Sequence, residues 1–243
     1  MRLKIASHDI FVVIGAKNVE ALWRRTTQTS GTPLFCFSLQ KLFGLKKEAA
    51  RMYHDDNSGC LARPHPKSRV APEGRIDYKM HHAVHTLLQG PEVTQFVERF
   101  ENLLTETLNK APIETEWSQH ADLLEFMQIN TITATVTASH GPKFLSLNPK
   151  FPQIFWEFNE WIPYFAKLLP RFAIPKAYHL RDTLLLNIKE WQEYVLDQEN
   201  KPDVDTSMHW GNEFFRKRFQ ILLNAHEGDM DAMASEDLGL IWG

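Results

Sequence analysis

Most of the chain carries apolar residues spaced three or four positions apart, which is the spacing of one face of an α-helix. The clearest stretch lies between residues 93 and 108, where the charged residues fall mostly on the opposite side. Pro163 interrupts a similar pattern at 154–169 and predicts a kink or a break there. The predicted helices cover about residues 18–23, 46–53, 76–89, 93–108, 154–169, 180–195, 214–222 and 231–243.

Two segments instead alternate apolar residues with others, as β-strands do. Residues 1–15 alternate on either side of Ser7-His8-Asp9, whose turn-forming side chains predict the centre of a β-hairpin. Residues 131–137 alternate threonine with apolar residues, but residues 121–139 also carry apolar side chains at helical spacing. Strand propensity alone favours a strand there, so the residues by themselves leave both alternatives open.

Residues 54–75 break the periodic patterns, since they contain three prolines and two glycines. A loop of this length is uncommon as a simple connection and is often functional. We therefore expect a mainly helical chain with three parts. They are a small N-terminal β-hairpin at 1–15, a long loop at 54–75 and a helical part at 76–243.

The composition excludes several classes of protein. The chain has 243 residues and a formal net charge of -3, which argues against bulk attraction to nucleic acid. It has 2 cysteines, too few for a disulfide framework, so we expect an intracellular, reducing location. No run of 18 apolar residues occurs, so we expect no membrane anchor in this chain.

Several short sequences occur in an order that resembles the first half of fungal-type cytochrome P450 monooxygenases. The stretch from Tyr53 to Gly90 resembles the loop and helix on the distal side of haem in that family. Other pieces resemble the entries to the family's C, E, F, G and I helices, and together they cover nearly the whole chain. These pieces are Arg75-Ile76-Asp77-Tyr78, Ala121-Asp122-Leu123-Leu124-Glu125-Phe126, Phe155-Trp156-Glu157-Phe158, Leu169-Pro170-Arg171-Phe172, Pro175-Lys176-Ala177-Tyr178, Arg181-Asp182 and Asp237-Leu238-Gly239-Leu240-Ile241-Trp242-Gly243.

The resemblance implies an incomplete cytochrome P450 fold over residues 1–243, from the first sheet strands to about the start of the I helix. In it, residues 1–15 form sheet strands, and residues 54–75 resemble the variable loop over haem that contributes to substrate recognition. It also implies a helix at 121–139. Intact relatives use haem to insert one oxygen atom from dioxygen into an apolar secondary metabolite. They take electrons from a P450 reductase and are usually anchored in the endoplasmic reticulum.

The family's iron ligand is a cysteine thiolate near the end of the chain. Here both cysteines, Cys36 and Cys60, precede the haem-facing helix, and neither resembles that ligand site. We therefore expect a truncated member that binds no haem stably and is inactive alone, and we assign no catalytic residue. One alternative is half of a split P450, completed by a C-terminal half on another chain. The other is a non-enzymatic helical protein that binds a lipophilic ligand.

The resemblance further implies contacts with a haem propionate. Arg75, Lys79, His81 and His82 are the candidates, because cations and imidazolium pair well with carboxylates. His81, His82 and His85 also have spacings that place pairs of them on one helix face, which suits a metal ion. The glutamate of a zinc protease motif is absent, so we assign no metal site, and a solvated polar face remains the plainer alternative.

Large aromatic residues are frequent between 151 and 172, and the resemblance assigns Phe155, Phe158 and Ile162 to the substrate cleft. The same helical spacing is also that of a plain core. The stripe at 93–108 would normally be covered by the part of the fold that this chain lacks. We therefore expect exposed apolar surface, and aggregation or partial disorder when the chain is expressed alone.

Overall fold

Helices make up most of the computed structural model, which describes residues 2–5, 8–24, 31–68, 70–111, 122–199, 201 and 209–243. A single 3₁₀ turn at Pro72–Gly74 precedes the fourth helix. In chain order the helices are α1 (Ala16–Trp23), α2 (Thr32–Lys41), α3 (Lys47–Asp55), α4 (Ile76–Gln89), α5 (Pro91–Asn109), α6 (Leu123–His140), α7 (Pro142–Leu147), α8 (Phe151–Asn159), α9 (Ile162–Ala166), α10 (Pro175–Glu199), α11 (Glu213–Ala225) and α12 (Met230–Trp242).

The expectation that sheet strands form part of the fold was wrong, because the described fold is a body of helices. Two segments of 4 residues, β1 (Arg2–Ile5) and β2 (His8–Phe11), pair only with each other, with Ile5 opposite His8. His8 and Asp9 therefore lie in β2 rather than in a turn, and Ser7 lies outside the described residues. Among the described side chains of residues 1–15, none is buried. This segment therefore adds no sheet layer to the helical core.

Helix α12 runs through the centre of the core, since every residue from Ala232 to Leu238 is buried. A helix that is buried on all sides belongs in the interior of a domain. It packs chiefly against α10 and also contacts α2 and α11. The buried side chains of α10 recur at helical spacing and are Ala177, Leu180, Leu184, Ile188, Trp191, Gln192 and Val195.

Helix α6 confirms the helical alternative for the threonine-rich segment. Asp122 caps its start by accepting hydrogen bonds from the backbone N–H groups of Leu124 and Glu125. The hydroxyls of Thr135 and Thr137 donate to carbonyl oxygens one turn earlier, at 2.9 Å to Thr131 and 2.7 Å to Thr133. Because these hydroxyls are satisfied within the helix, the β-branched residues are accommodated there without a strand partner.

The break predicted at Pro163 is also confirmed, because α8 ends at Asn159 and α9 begins at Ile162. Proline has no N–H to donate, so it is tolerated in the first turn of a helix and disrupts an interior. Two short helices, α2 and α7, were not predicted, because their segments carry no clear apolar periodicity.

Large apolar side chains are exposed on α4, α5 and α6. Leu88 is 63% exposed, Leu123 66% and Leu124 65%. Helix α5 packs against α6, yet none of its residues is fully buried. The apolar stripe at 93–108 is therefore only half covered by the described part of the chain.

Candidate functional site

The loop that follows α3 is closed by one buried arginine. Arg75 lies just before α4, and its side chain is only 4% exposed. Its Nε donates to Asp56 Oδ2 at 3.3 Å, and its Nη1 donates to the carbonyl oxygen of Ala62 at 3.3 Å. Its Nη2 donates to the carbonyl oxygens of Gly59 at 3.2 Å and Leu61 at 2.5 Å. The guanidinium group is thus surrounded by acceptors from one short loop segment.

The acidic partner in this loop is equally buried. The Asp56 side chain is 0% exposed, and its Oδ1 accepts a hydrogen bond from the backbone N–H of Ser58 at 2.9 Å. The Ser58 hydroxyl in turn accepts from the backbone N–H of His65 at 2.8 Å. A buried ion pair persists only where hydrogen bonds satisfy the remaining polar atoms, and this one meets that condition on the carboxylate side.

The first turns of α4 carry the other predicted propionate contacts. Lys79 is half-buried, and its Nζ donates to the carbonyl oxygen of Glu73 at 2.6 Å. His81 and His82 are exposed, and His82 stacks on Tyr78 with ring centroids 5.8 Å apart. These three side chains reach solvent on one helix, whereas Arg75 is enclosed by the loop. Contact of any of the four with a propionate stays a prediction.

The histidine trio on α4 does not form a three-ligand metal centre. His81 and His85 have ring centroids 6.3 Å apart, and His82 is engaged with Tyr78. Within the described residues, no group of three or more histidine, cysteine or acidic side chains is arranged to hold a metal ion.

The aromatic residues predicted to line a substrate cleft lie in the core of the described structure. Phe155 is 4% exposed, Phe158 is fully buried and Ile162 is 9% exposed. Phe158 packs on Phe165 with ring centroids 5.8 Å apart. These side chains contribute to the packing of α8 and α9, and their assignment to a substrate cleft stays a prediction.

A buried polar cluster around α12 was missed by sequence reasoning. Glu236 accepts a hydrogen bond from the Tyr53 hydroxyl at 2.5 Å and lies 3.3 Å from His226 Nε2. Asp237 forms an ion pair with Arg218 and accepts from Gln192 Nε2 at 2.5 Å. The sequence did contain a signal, because Glu236 and Asp237 are adjacent carboxylates among small and apolar residues. Buried charges of this kind need partners, so such a pair predicts a buried polar cluster.

The electrostatics of this cluster favour neutral phenol and thiol groups. Burial, followed by the charge of Glu236, raises the pKa of the Tyr53 hydroxyl well above its ordinary value. Burial, followed by the charges of Asp77 and Glu236, raises the pKa of the Cys36 thiol to about 11. Both groups therefore stay protonated at neutral pH.

A surface pocket of about 280 Å³ lies between α10 and α12, away from the Arg75 loop. At its edge Asp231 accepts hydrogen bonds from Lys46 at 2.8 Å and from Lys189 at 2.9 Å. These two hydrogen bonds lower the pKa of the Asp231 carboxyl below its ordinary value. The pocket contains none of the residues predicted from the sequence to contact haem or substrate.

Proteins similar to this chain include cytochrome P450 monooxygenases of three fungi. A cytochrome P450 monooxygenase of Humicola fuscoatra is 25% identical over 253 aligned positions, which cover 100% of this chain. One of Hormonema carpetanum is also 25% identical over 100% of the chain, and one of Penicillium decumbens is 26% identical over 89%. The chain is thus similar, over most or all of its length, to fungal cytochrome P450 monooxygenases. It spans only 41% to 42% of the length of these relatives.

Two further comparisons gave no match to this chain. No protein-family model matches it, and no solved structure matches it significantly. None of the described helices is both long and apolar enough to cross a lipid bilayer.

Cytochrome P450 chemistry requires a cysteine thiolate on the iron. Cys36 is 1% exposed, and its raised pKa keeps it a neutral thiol inside the core. Cys60 is exposed in the loop that Arg75 closes. The sequence contains 2 cysteines in all, and the absence of the iron ligand from it stays a prediction.

Proposed function

We propose that this chain is the substrate-side part of a fungal-type cytochrome P450 monooxygenase that oxidises apolar secondary metabolites. The observation that carries the proposal is the similarity of the whole chain to three fungal monooxygenases. In the proposed enzyme, residues 54–75 form the loop over the substrate, and residues 76–243 form the helical wall behind it. Electrons come from a P450 reductase.

The proposed haem contact lies on the solvent-facing side of α4. Lys79, His81 and His82 have cationic or imidazole donors within one turn of each other, which suits a propionate carboxylate. Bound haem with a thiolate ligand supplies the activation of dioxygen. The thiolate belongs to a segment outside these residues, so the chain alone is inactive and a complementing C-terminal half is required.

The proposed role of the aromatic residues is to shape the apolar side of the cleft. In the proposed enzyme, Phe155 and Phe158 on α8 and Ile162 on α9 pack behind the apolar side of the cleft, since all three are buried in the described structure. Apolar pockets of this kind bind lipophilic molecules through burial of their surface. Large rings also hold their position at a low cost in conformational entropy.

The test is the carbon monoxide spectrum of the reduced protein. The purified 243-residue chain with haem, dithionite and carbon monoxide is expected to give no band at the position of thiolate-bound haem. Co-expression with the polypeptide encoded directly downstream of Gly243 is expected to give that band. A thiolate band from the chain alone, or no haem in either preparation, overturns the proposal.

Matched variants sharpen this test in the co-expressed protein. Lys79→Met, His81→Asn and His82→Asn are expected to weaken haem retention, because each removes a donor to the propionates. His85→Asn is the control, since His85 is an exposed histidine of the same helix without a proposed contact. A double variant that replaces Cys36 and Cys60 by serine is expected to leave the thiolate band unchanged.

A further inference from the structure

The segment Asp56–Ala62 directs three backbone carbonyl oxygens and one carboxylate toward Arg75. The carbonyl oxygens of Gly59, Leu61 and Ala62 all accept hydrogen bonds from its guanidinium group. Gly59 has a φ of 51°, a left-handed conformation that a residue with a side chain adopts less readily. The segment therefore makes a tight inward turn around a single cation.

The guanidinium group is committed to this segment. Arginine has five N–H donors in a planar fork, and four are used here, three on carbonyl oxygens and one on Asp56. One face of the group also lies over the Tyr78 ring, 4.9 Å from its centroid. With 4% exposure and these contacts, the Arg75 side chain is held between the loop and the Tyr78 ring.

Because Arg75 lies directly before α4, its contacts connect the loop to the helix. Arg75 is the residue directly before α4, and its own backbone carbonyl accepts the N–H of Lys79 at 3.0 Å. The arginine thus connects the inward turn of the loop to the first turn of the helix. On the outer side of the same turn, Cys60 and Leu61 are exposed, and Leu61 is 40% exposed.

We propose that Arg75 is the positioning residue that fixes segment 56–62 relative to α4 and thereby sets the shape of the substrate side of the site. The link between Arg75 and the substrate rests on the proposed function, because that function places the loop in contact with the substrate. Lysine cannot replace it fully, because an ammonium group is a point charge and does not reach four separate acceptors. Asp56 is the required counter-charge.

The test measures the mobility of the loop and does not depend on catalysis. Amide hydrogen exchange of residues 57–62 is measured together with the mobility of a spin label on Cys60, since Cys36 is buried and does not compete for the label. Arg75→Ala is expected to speed exchange by at least about tenfold and to free the label, because the loop loses four hydrogen bonds. Arg75→Lys is expected to be intermediate. Arg63→Ala, an exposed arginine in the same loop, is the control and is expected to match the wild type.

Chemical rescue separates positioning from a general loss of structure. Free guanidinium, at concentrations well below those that unfold proteins, is expected to restore slow exchange in Arg75→Ala and to change nothing in the wild type. The thermal midpoint of helical ellipticity reports whether the helical body stays folded. If Arg75→Ala does not fold, Asp56→Asn and Arg75→Lys give the same comparison.

Unchanged exchange and label mobility in folded Arg75 variants overturn this inference. Loosening of the whole chain to the same degree as the loop also overturns it. Neither readout needs haem or a complementing chain. A failed haem experiment therefore counts against the proposed function alone, and a failed loop experiment counts against the role of Arg75 alone.

Discussion

The hydroxyl of Tyr53 on α3 donates a hydrogen bond of 2.5 Å to the carboxylate of Glu236 on α12. Both side chains are buried, and 183 positions separate them in the sequence. The contact joins a peripheral helix to the central one. Because the carboxylate lies away from water, its hydrogen bonds decide whether its burial is tolerated.

Tyr53→Phe is expected to lower the free energy of unfolding by about 1–3 kcal/mol, because it leaves a buried carboxylate without its phenol donor. Denaturant unfolding followed by circular dichroism measures this change. Tyr164→Phe is the control, since Tyr164 is 42% exposed, and an effect within about 0.5 kcal/mol is expected there. Equal effects of the two substitutions would show that the Tyr53 contact does not support α12.

The second polar anchor of α12 is the ion pair between Arg218 and Asp237, whose side chains are 4% and 5% exposed. Arg218→Met is expected to cost about 3–5 kcal/mol of stability, because Asp237 then keeps only its bond from Gln192. The double variant Arg218→Met/Asp237→Leu is expected to recover more than half of that loss, since no buried charge remains. The measurement is again denaturant unfolding.

An exposed ion pair is the control for the buried pair of Arg218 and Asp237. Arg24 pairs with Glu20 one turn away on α1, and both side chains are more than half exposed. Arg24→Met is expected to cost less than about 1 kcal/mol, because water screens the pair. A double variant at 218 and 237 that is no more stable than Arg218→Met would contradict the view that the unpaired carboxylate causes the loss.

The sequence predicted the helices that have one apolar face and one polar face. Helix α5 was expected at 93–108 and extends from Pro91 to Asn109, because its stripe repeats every three or four residues. Helix α6 needed the family resemblance, since a threonine alternation fits a strand equally well until the hydroxyls are seen to bond within the helix.

Polar residues were harder to predict, because their partners are distant in the sequence. Arg75 was expected to contact a haem propionate, which stays a prediction, and its observed acceptors lie 13 to 19 positions earlier, in a loop without periodicity. Arg218 has no feature in the sequence that marks it as buried, and the acid that pairs with it lies 19 positions later on a central helix. Periodicity predicts which face of a helix is apolar. It does not predict which buried acidic side chain pairs with which basic one.

Close backbone packing makes Gly211 intolerant of a side chain. A Cβ atom there would lie 2.2 Å from the carbonyl oxygen of Ala138, in α6. Gly211→Ala is therefore expected to destabilise the fold by about 3 kcal/mol, since backbone must shift to relieve the overlap. Gly31→Ala is the control, because nothing lies within 4 Å of its Cβ position, and a loss below about 1 kcal/mol is expected. The measurement is the thermal unfolding midpoint of each variant. Equal midpoints for Gly211→Ala and Gly31→Ala would contradict the close contact.

His140, at the end of α6, gives the fold a dependence on pH. Its ring contacts Trp191 with centroids 4.8 Å apart, and its Nδ1 lies 2.6 Å from the Ser139 hydroxyl. Burial, followed by the charge of Arg218, lowers the pKa of His140 from 6.5 to about 3. Between these two values the unfolded chain binds a proton at this position and the folded chain does not. Stability is therefore expected to fall as the pH decreases from about 6.5 toward 3.

His140→Gln is expected to remove this contribution, which for one proton reaches at most about 1.4 kcal/mol per pH unit. The measurement is the slope of unfolding free energy against pH over that interval, compared between wild type and variant. His179→Gln is the control, because His179 is exposed on α10 and is expected to leave the slope unchanged. Parallel curves for the wild type and His140→Gln would contradict this prediction. They would mean that the imidazole binds its proton as readily in the folded chain as in the unfolded chain, despite its burial among aromatic rings.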